Sequence, residues 1–183
     1  EDAVVAHTWS PMSLEADDRY KAQAAAILDS ADVHGAYALC WGIGDGGLVS
    51  ELVRQAPSLR VIAFDPDETR VRSLRERLHA AGIEGQRASA YVGDPVELGV
   101  APYMARLLVC ATPDQGGPQL AGNDELLAAA YELLRPYGGV AHIAVGGNSE
   151  SGLSAEAVAS LTGAEFETRD DFLRGIRAGA IAG

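Results

Sequence analysis

The amino-acid sequence predicts an α/β domain: a Rossmann-like, doubly wound, mostly parallel sheet with helices on both faces and an antiparallel hairpin at the C-terminal edge. Three observations predict it. Five short apolar runs alternate with segments whose apolar residues recur at helical spacing, the order that gives a parallel sheet with right-handed crossovers. A glycine-rich turn, Gly42-Ile43-Gly44-Asp45-Gly46-Gly47, joins the first run to the helix after it. Two final runs, residues 164–168 and 171–176, lie close enough in sequence to pair with each other at the sheet edge.

Residues 1–13, with His7, Trp9, Pro11 and Met12, show no periodicity and read as an arm or lid before the domain proper, residues 14–176. A helix over about residues 14–30 puts Tyr20, Ala24, Ile27 and Leu28 on one face and Asp17, Asp18, Arg19 and Lys21 on the other. The first strand, residues 37–41, runs into the glycine turn, and Leu48, Leu52 and Val53 make the stripe of the next helix. Strand two is residues 60–65; Asp67 caps a helix carrying Val71, Leu74, Leu78 and Ala81, which Gly82 ends. Strand three is residues 88–92, closing on Gly93-Asp94. The run 104–111 suits a central strand buried on both faces. The breaker-rich loop 112–123 sits where binding groups tend to be carried. A helix over 124–134, a fifth strand over 140–145, a short helix over 154–161 and the final hairpin complete the domain. Residues 177–183, rich in small side chains, read as a flexible tail or linker.

The 183 residues carry 14 basic and 26 acidic side chains, a formal charge of −12, which argues against nucleic acid and anionic membrane as partners. Arg70, Arg72, Arg75 and Arg77 read as a solvated helix face balanced by Glu68 and Glu76. Cys40 and Cys110 sit in apolar runs as small buried hydrophobes, and a bridge between them requires their strands to be neighbours. His7, His34, His79 and His142 lack zinc spacing, so no metal site is expected. No apolar run is long enough to span a membrane.

The turn admits two parsings, Gly42/Gly44/Gly46 and the dinucleotide pattern Gly42/Gly44/Gly47. Asp65, ending strand two, lies where a ribose-binding carboxylate belongs in either case. Asp45 inside the turn is unfavourable beside a pyrophosphate and suits an adenosyl ligand bearing an amino group. Gly42–Gly47, Asp65, Gly93-Asp94 and Thr112-Pro113 all fall at carboxyl ends of predicted strands, where ligands of such sheets bind.

Trp41-Gly42-Ile43-Gly44-Asp45-Gly46, Asp65 and Gly93-Asp94 resemble the first three motifs of class I S-adenosylmethionine-dependent methyltransferases, a resemblance that covers about residues 14–176. It implies S-adenosylmethionine as cofactor; the methyl acceptor is not identified by any motif, and the acidic charge points to a small molecule. The resemblance places the methionine part of the cofactor on Gly42, Gly44 and Gly46, the ribose hydroxyls on Asp65 and the adenine amino group on Asp94, with Trp41, Ile43, Asp45, Pro66, Gly93 and Cys110 as further cofactor contacts. Leu134-Arg135-Pro136-Tyr137-Gly138-Gly139 resembles the turn before the family's fifth strand. Cys40 stands where the family often has an acidic residue and Arg106 where it has an aspartate; Ala111-Thr112-Pro113-Asp114 is unlike the motif of amino-methylating enzymes. Residues 26–110 are similar, more narrowly, to methyltransferase-like domains found beside a pyrroloquinoline-quinone-type β-propeller in some bacterial proteins.

Methyl transfer requires alignment of the acceptor and, for weak acids, a base; Asp114 is the candidate, with Asp94 and His142 behind it. Trp9 and Tyr20 are candidate lid residues. The readings are a cytoplasmic methyltransferase, a methyltransferase-like domain that binds ligand or partner without turnover (periplasmic if fused to a propeller), and an NAD-dependent oxidoreductase.

Overall fold

The structure, a computed structural model, describes residues 14, 16–120, 123–144, 164–169 and 172–177. The elements are α1 (Asp18–Asp29), β1 (Tyr37–Trp41), α2 (Gly47–Gln55), β2 (Arg60–Asp65), α3 (Glu68–Ala80), β3 (Ala88–Val92), β4 (Leu107–Cys110), α4 (Asp124–Glu132), β5 (Gly139–Ala144), β6 (Ala164–Arg169) and β7 (Phe172–Arg177). They build one sheet of order β3-β2-β1-β4-β5-β7-β6. Strands β1 to β5 are parallel, while β7 is antiparallel to both β5 and β6. The order reverses between β1 and β4, so the crevice beyond their carboxyl ends is where such a sheet offers a binding site.

Strand alternation sorts the core into two layers. Ala38 and Cys40 of β1 and Val61 and Ala63 of β2 face α1, α2 and α3, which cover them with Ile27, Leu52, Val53, Val71 and Leu74. Leu39, Trp41, Phe64, Leu108 and Cys110 face the other way, onto Leu127 and Ala130 of α4. The two cysteines therefore lie in neighbouring strands but on opposite faces: Cys40 is opposite Val109 and Cys110 opposite Trp41, and both thiols are free.

Differences from the sequence reading have local causes. Helix α1 starts at Asp18 rather than residue 14, because the Asp17 carboxylate accepts the Arg19 N–H as a cap while its own N–H is drawn to Glu51 Oε1 at 2.9 Å. Strand β4 is shorter than expected: Tyr103 adopts φ +62°, and Ala105 bridges to Leu134 before the ladder begins. Strand β7 runs one residue past the predicted hairpin, so that Arg177, expected to open the tail, is its last residue and 4% exposed. Its Nη1 donates to the carbonyls of Tyr131 (2.9 Å) and Leu134 (3.1 Å), and its guanidinium lies against the rings of Tyr103 and Tyr131 at 4.9 and 4.5 Å. The predicted arm at residues 1–13, the helix over 154–161 and the tail from 178 lie outside the described residues. No helix among the described residues is long and apolar enough to cross a membrane.

Candidate functional site

Trp41 ends β1 with 3% exposure, packed in the core layer with Phe64 and Cys110. The chain then turns at Gly42 (φ +97°), whose N–H donates to the Phe64 carbonyl at 2.8 Å. A side chain at Gly42 has no room: its Cβ would lie 2.6 Å from the Gly117 nitrogen and 2.7 Å from the Ala111 Cβ. Ile43 places its N–H 2.8 Å from Asp65 Oδ2, tying the turn to the end of β2. Asp65 is 0% exposed; its other oxygen accepts the Asp67 N–H at 2.9 Å, and Arg70 Nη1 stands 3.6 Å from Oδ2. The neighbouring strand closes on the same point, with the Gly93 N–H donating to the Asp65 carbonyl at 3.0 Å and Pro66 exposed beside it.

Asp94 and Asp45 are engaged differently. Asp94 Oδ1 accepts the N–H groups of Val96 and Glu97, both at 2.8 Å, and so caps the turn that follows β3. Asp45 is exposed: Oδ1 accepts the Gly47 N–H at 2.9 Å and Oδ2 lies 3.1 Å from Arg19 Nη2. Burial, and then a hydrogen bond to Asp45, raises the Tyr20 phenol. The three carboxylates occupy the carboxyl ends of β1, β2 and β3, but Asp45 is turned to α1 while Asp65 faces the loop after β4.

That loop decides the shape of the site. Residues 113–115 form a 3-10 turn, and the Gln115 carbonyl accepts the Gly44 N–H at 3.0 Å. Gly116 (φ +84°) then packs its α-carbon onto Asp65: a Cβ there would sit 2.1 Å from Oδ2. Arg70 Nη2 donates to the Asp114 carbonyl at 2.8 Å. Residues 113–117 thus lie directly over Gly42, Gly44 and the Asp65 carboxylate at this rim. A cavity of about 330 Å³ opens on the α1 side of the turn, lined by Leu14, Asp17, Gly47, Ser50 and Arg77 among others but by none of Asp65, Asp94 or Gly116.

Asp114 is exposed at the loop's outer surface. His142 lies within β5, its Nε2 2.7 Å from Ser30 Oγ at the end of α1, and burial, then Arg174, pulls its imidazole down to about 4. It is therefore part of the packing between α1 and the sheet rather than of the rim. Burial pushes the Cys40 thiol up to about 12 and the Cys110 thiol higher, so neither is a nucleophile at neutral pH. No cluster of potential metal ligands occurs among the described residues.

The solvated-face reading of the α3 arginines holds for the exposed Arg72, while the other three reach backbone carbonyls. Arg70 holds the loop, Arg75 Nε donates to the Ala90 carbonyl at 2.8 Å and Arg77 Nη2 to the Asp45 carbonyl at 2.6 Å. Arg70 and Gly116 were both missed as site residues; the available signals were the spacing of Arg70 one turn after the Asp67 cap and the Gly116-Gly117 pair.

A methyltransferase from Geobacter sulfurreducens superposes with a TM-score of 0.67 over 91% of this chain and 81% of that one, at 16% identity. A SAM-dependent O-methyltransferase from Thermotoga maritima gives 0.66 over 90% and 68% at 15% identity. This is the class I methyltransferase fold. The antiparallel β7 between β5 and β6 sets it apart from the dinucleotide-binding order, in which the sixth strand lies directly beside the fifth. The (4+2)-cyclase SpnF also superposes, at a TM-score of 0.62 and 13% identity over 81% of this chain and 59% of that one, so the fold by itself does not carry the activity. No protein-family model matches the chain, and no curated protein matches it in sequence.

Proposed function

We propose that this chain is an S-adenosylmethionine-dependent methyltransferase acting on a small-molecule acceptor. The observation that carries the reading is the buried Asp65 carboxylate at the switch of strand order, bonded to the N–H of Ile43 inside the glycine turn. The cofactor supplies an electrophilic methyl group on a sulfonium. With residues 113–117 withdrawn, Asp65 accepts the ribose hydroxyls, Gly44 offers its N–H, and Trp41, Gly42, Ile43 and Gly46 shape the floor. Pro66, Gly93 and Asp94 border the base, and Asp45 takes the amino group in exchange for Arg19. Cys110 contributes packing beneath the floor. Asp114, exposed on the loop, is the candidate base for a weakly acidic acceptor.

The charge of −12 disfavours nucleic acid as acceptor, and a donor that is a cytosolic metabolite favours a cytoplasmic setting. Fusion to a β-propeller would favour the periplasm instead. The filled rim favours a second reading, a methyltransferase-fold domain that does not turn over. Titration with S-adenosylmethionine, S-adenosylhomocysteine and NAD, followed by a methylation assay over an acceptor panel, separates them. Binding of the adenosyl ligands with a methylated product supports the first reading; binding without product across the panel supports the second. Binding of NAD alone overturns both.

A further inference from the structure

We infer that residues 113–117 are a built-in plug that stands in the nucleoside's place and is latched by Arg70, so that cofactor binds only to the fraction of molecules in which this segment has swung out. The inference rests on the methyl-donor reading above and concerns the control of the same site.

Four contacts seat the plug. Gln115 offers its carbonyl to the Gly44 N–H, Gly117 backs onto Gly42, Gly116 covers the Asp65 carboxylate, and Arg70 reaches from α3 to the Asp114 carbonyl. None of these is apolar burial: residues 113–115 are exposed, 116 and 117 have no side chains, and the first buried apolar residue after them is Leu120. A segment held by a few polar contacts opens at far lower cost than a core element.

The carboxylate beneath the plug is also under-used. A carboxylate has about four acceptor positions, and Asp65 fills two with the N–H groups of Ile43 and Asp67, at 2.8 and 2.9 Å, while Arg70 stands off at 3.6 Å. The face toward Gly116 meets a methylene, which donates nothing. A vicinal diol offers that face the two donors the plug lacks, so the diol and the plug compete for one place. Arg70 biases the competition toward the closed form, and apparent affinity falls in proportion to the open fraction.

The test compares the wild-type chain with Arg70→Ala, which removes the latch, and Gly116→Ala, whose methyl group collides with Asp65. S-adenosylhomocysteine affinity is measured by calorimetry, and exchange of the Gly44 amide is followed by NMR in the free proteins. Both substitutions are expected to tighten binding by about tenfold, the worth of one hydrogen bond from a charged donor, and to speed Gly44 exchange. Arg70→Ala leaves the backbone of the loop unaltered, so the test survives if Gly116→Ala fails to fold. Equal affinity in wild type and Arg70→Ala, or weaker binding in the variant, overturns the plug and leaves the methyl-donor reading standing. Absence of adenosyl-ligand binding in all three proteins overturns both.

Discussion

Two carboxylates in this chain are equally buried and differently used. Glu51 of α2 is 0% exposed, and its oxygens accept four bonds: Asp17 N–H and Arg54 Nε at 2.9 Å on one, Arg54 Nη2 at 2.6 Å and Gln55 Nε2 at 2.8 Å on the other. The Arg54 guanidinium, helped by Gln55 and the Asp17 N–H, holds its carboxyl down at about 2 against the opposing effect of burial. Asp65 has the same exposure and two close donors, with a glycine α-carbon over the rest. A buried charge whose acceptor capacity is full is part of the scaffold; one with capacity left over, at the strand-order switch, is the one we propose as the ligand contact.

The largest test of that contrast is Glu51→Ala. It leaves Arg54 without its partner and frees the start of α1, and is expected to cost about 3 to 4 kcal/mol of stability in urea denaturation, with ligand affinity per folded molecule unchanged. Because the folded pKa is depressed from 4.5 to about 2, the stabilisation is complete above pH 4.5 and is lost as pH falls through 2. A stability–pH curve with no slope in that window removes Glu51 from the scaffold.

His142 extends the comparison to a buried base. Its folded pKa is lowered from 6.5 to about 4, so below pH 6.5 the unfolded chain binds a proton that the folded chain refuses. Stability is expected to fall by up to about 3 kcal/mol as pH drops from 6.5 to 4, and His142→Gln should flatten that part of the curve. A persisting slope in the variant would assign the loss to another group.

Asp65→Asn probes the other side of the contrast. Both Asp65 oxygens face an N–H, so either orientation of the amide sets an NH₂ against a donor, at about 2 kcal/mol of stability. Binding of S-adenosylhomocysteine by the folded fraction should weaken by roughly 1.5 to 3 kcal/mol, the worth of the lost charge-assisted bonds. Unchanged affinity would make Asp65 a second Glu51.

How much of this the sequence carries follows from what each feature depends on. The strands, the capped helices and the edge hairpin depend on periodicity and on local breakers, so Gly42, Asp65 and Gly93 could be assigned to one rim from their positions alone. The seating of Gly116 on Asp65 depends on two residues far apart in the chain meeting across a strand crossing, and no local pattern encodes it. Arg70 was hidden by good local chemistry, since charge balance on α3 explains an exposed arginine as well as a latch. Arg177 was hidden by its small neighbours, although its guanidinium anchors β7 to the end of α4.

Asp45 provides the smallest effect and the sharpest control, because it is the exposed member of the set. Its carboxylate is shared among the Gly47 N–H, the Tyr20 phenol and Arg19, whose own side chain is 71% exposed. Exchange of Arg19 for a ligand's amino group trades one screened ion pair for another, so the net gain from that contact is small. Asp45→Ala is expected to cost about 0.5 to 1 kcal/mol of stability through loss of the bond to the first N–H of α2, and no more than about 1 kcal/mol of S-adenosylhomocysteine affinity. An affinity loss larger than that of Asp65→Asn would invert the ranking by burial, and would move the centre of the site from the end of β2 to the α1 side of the glycine turn.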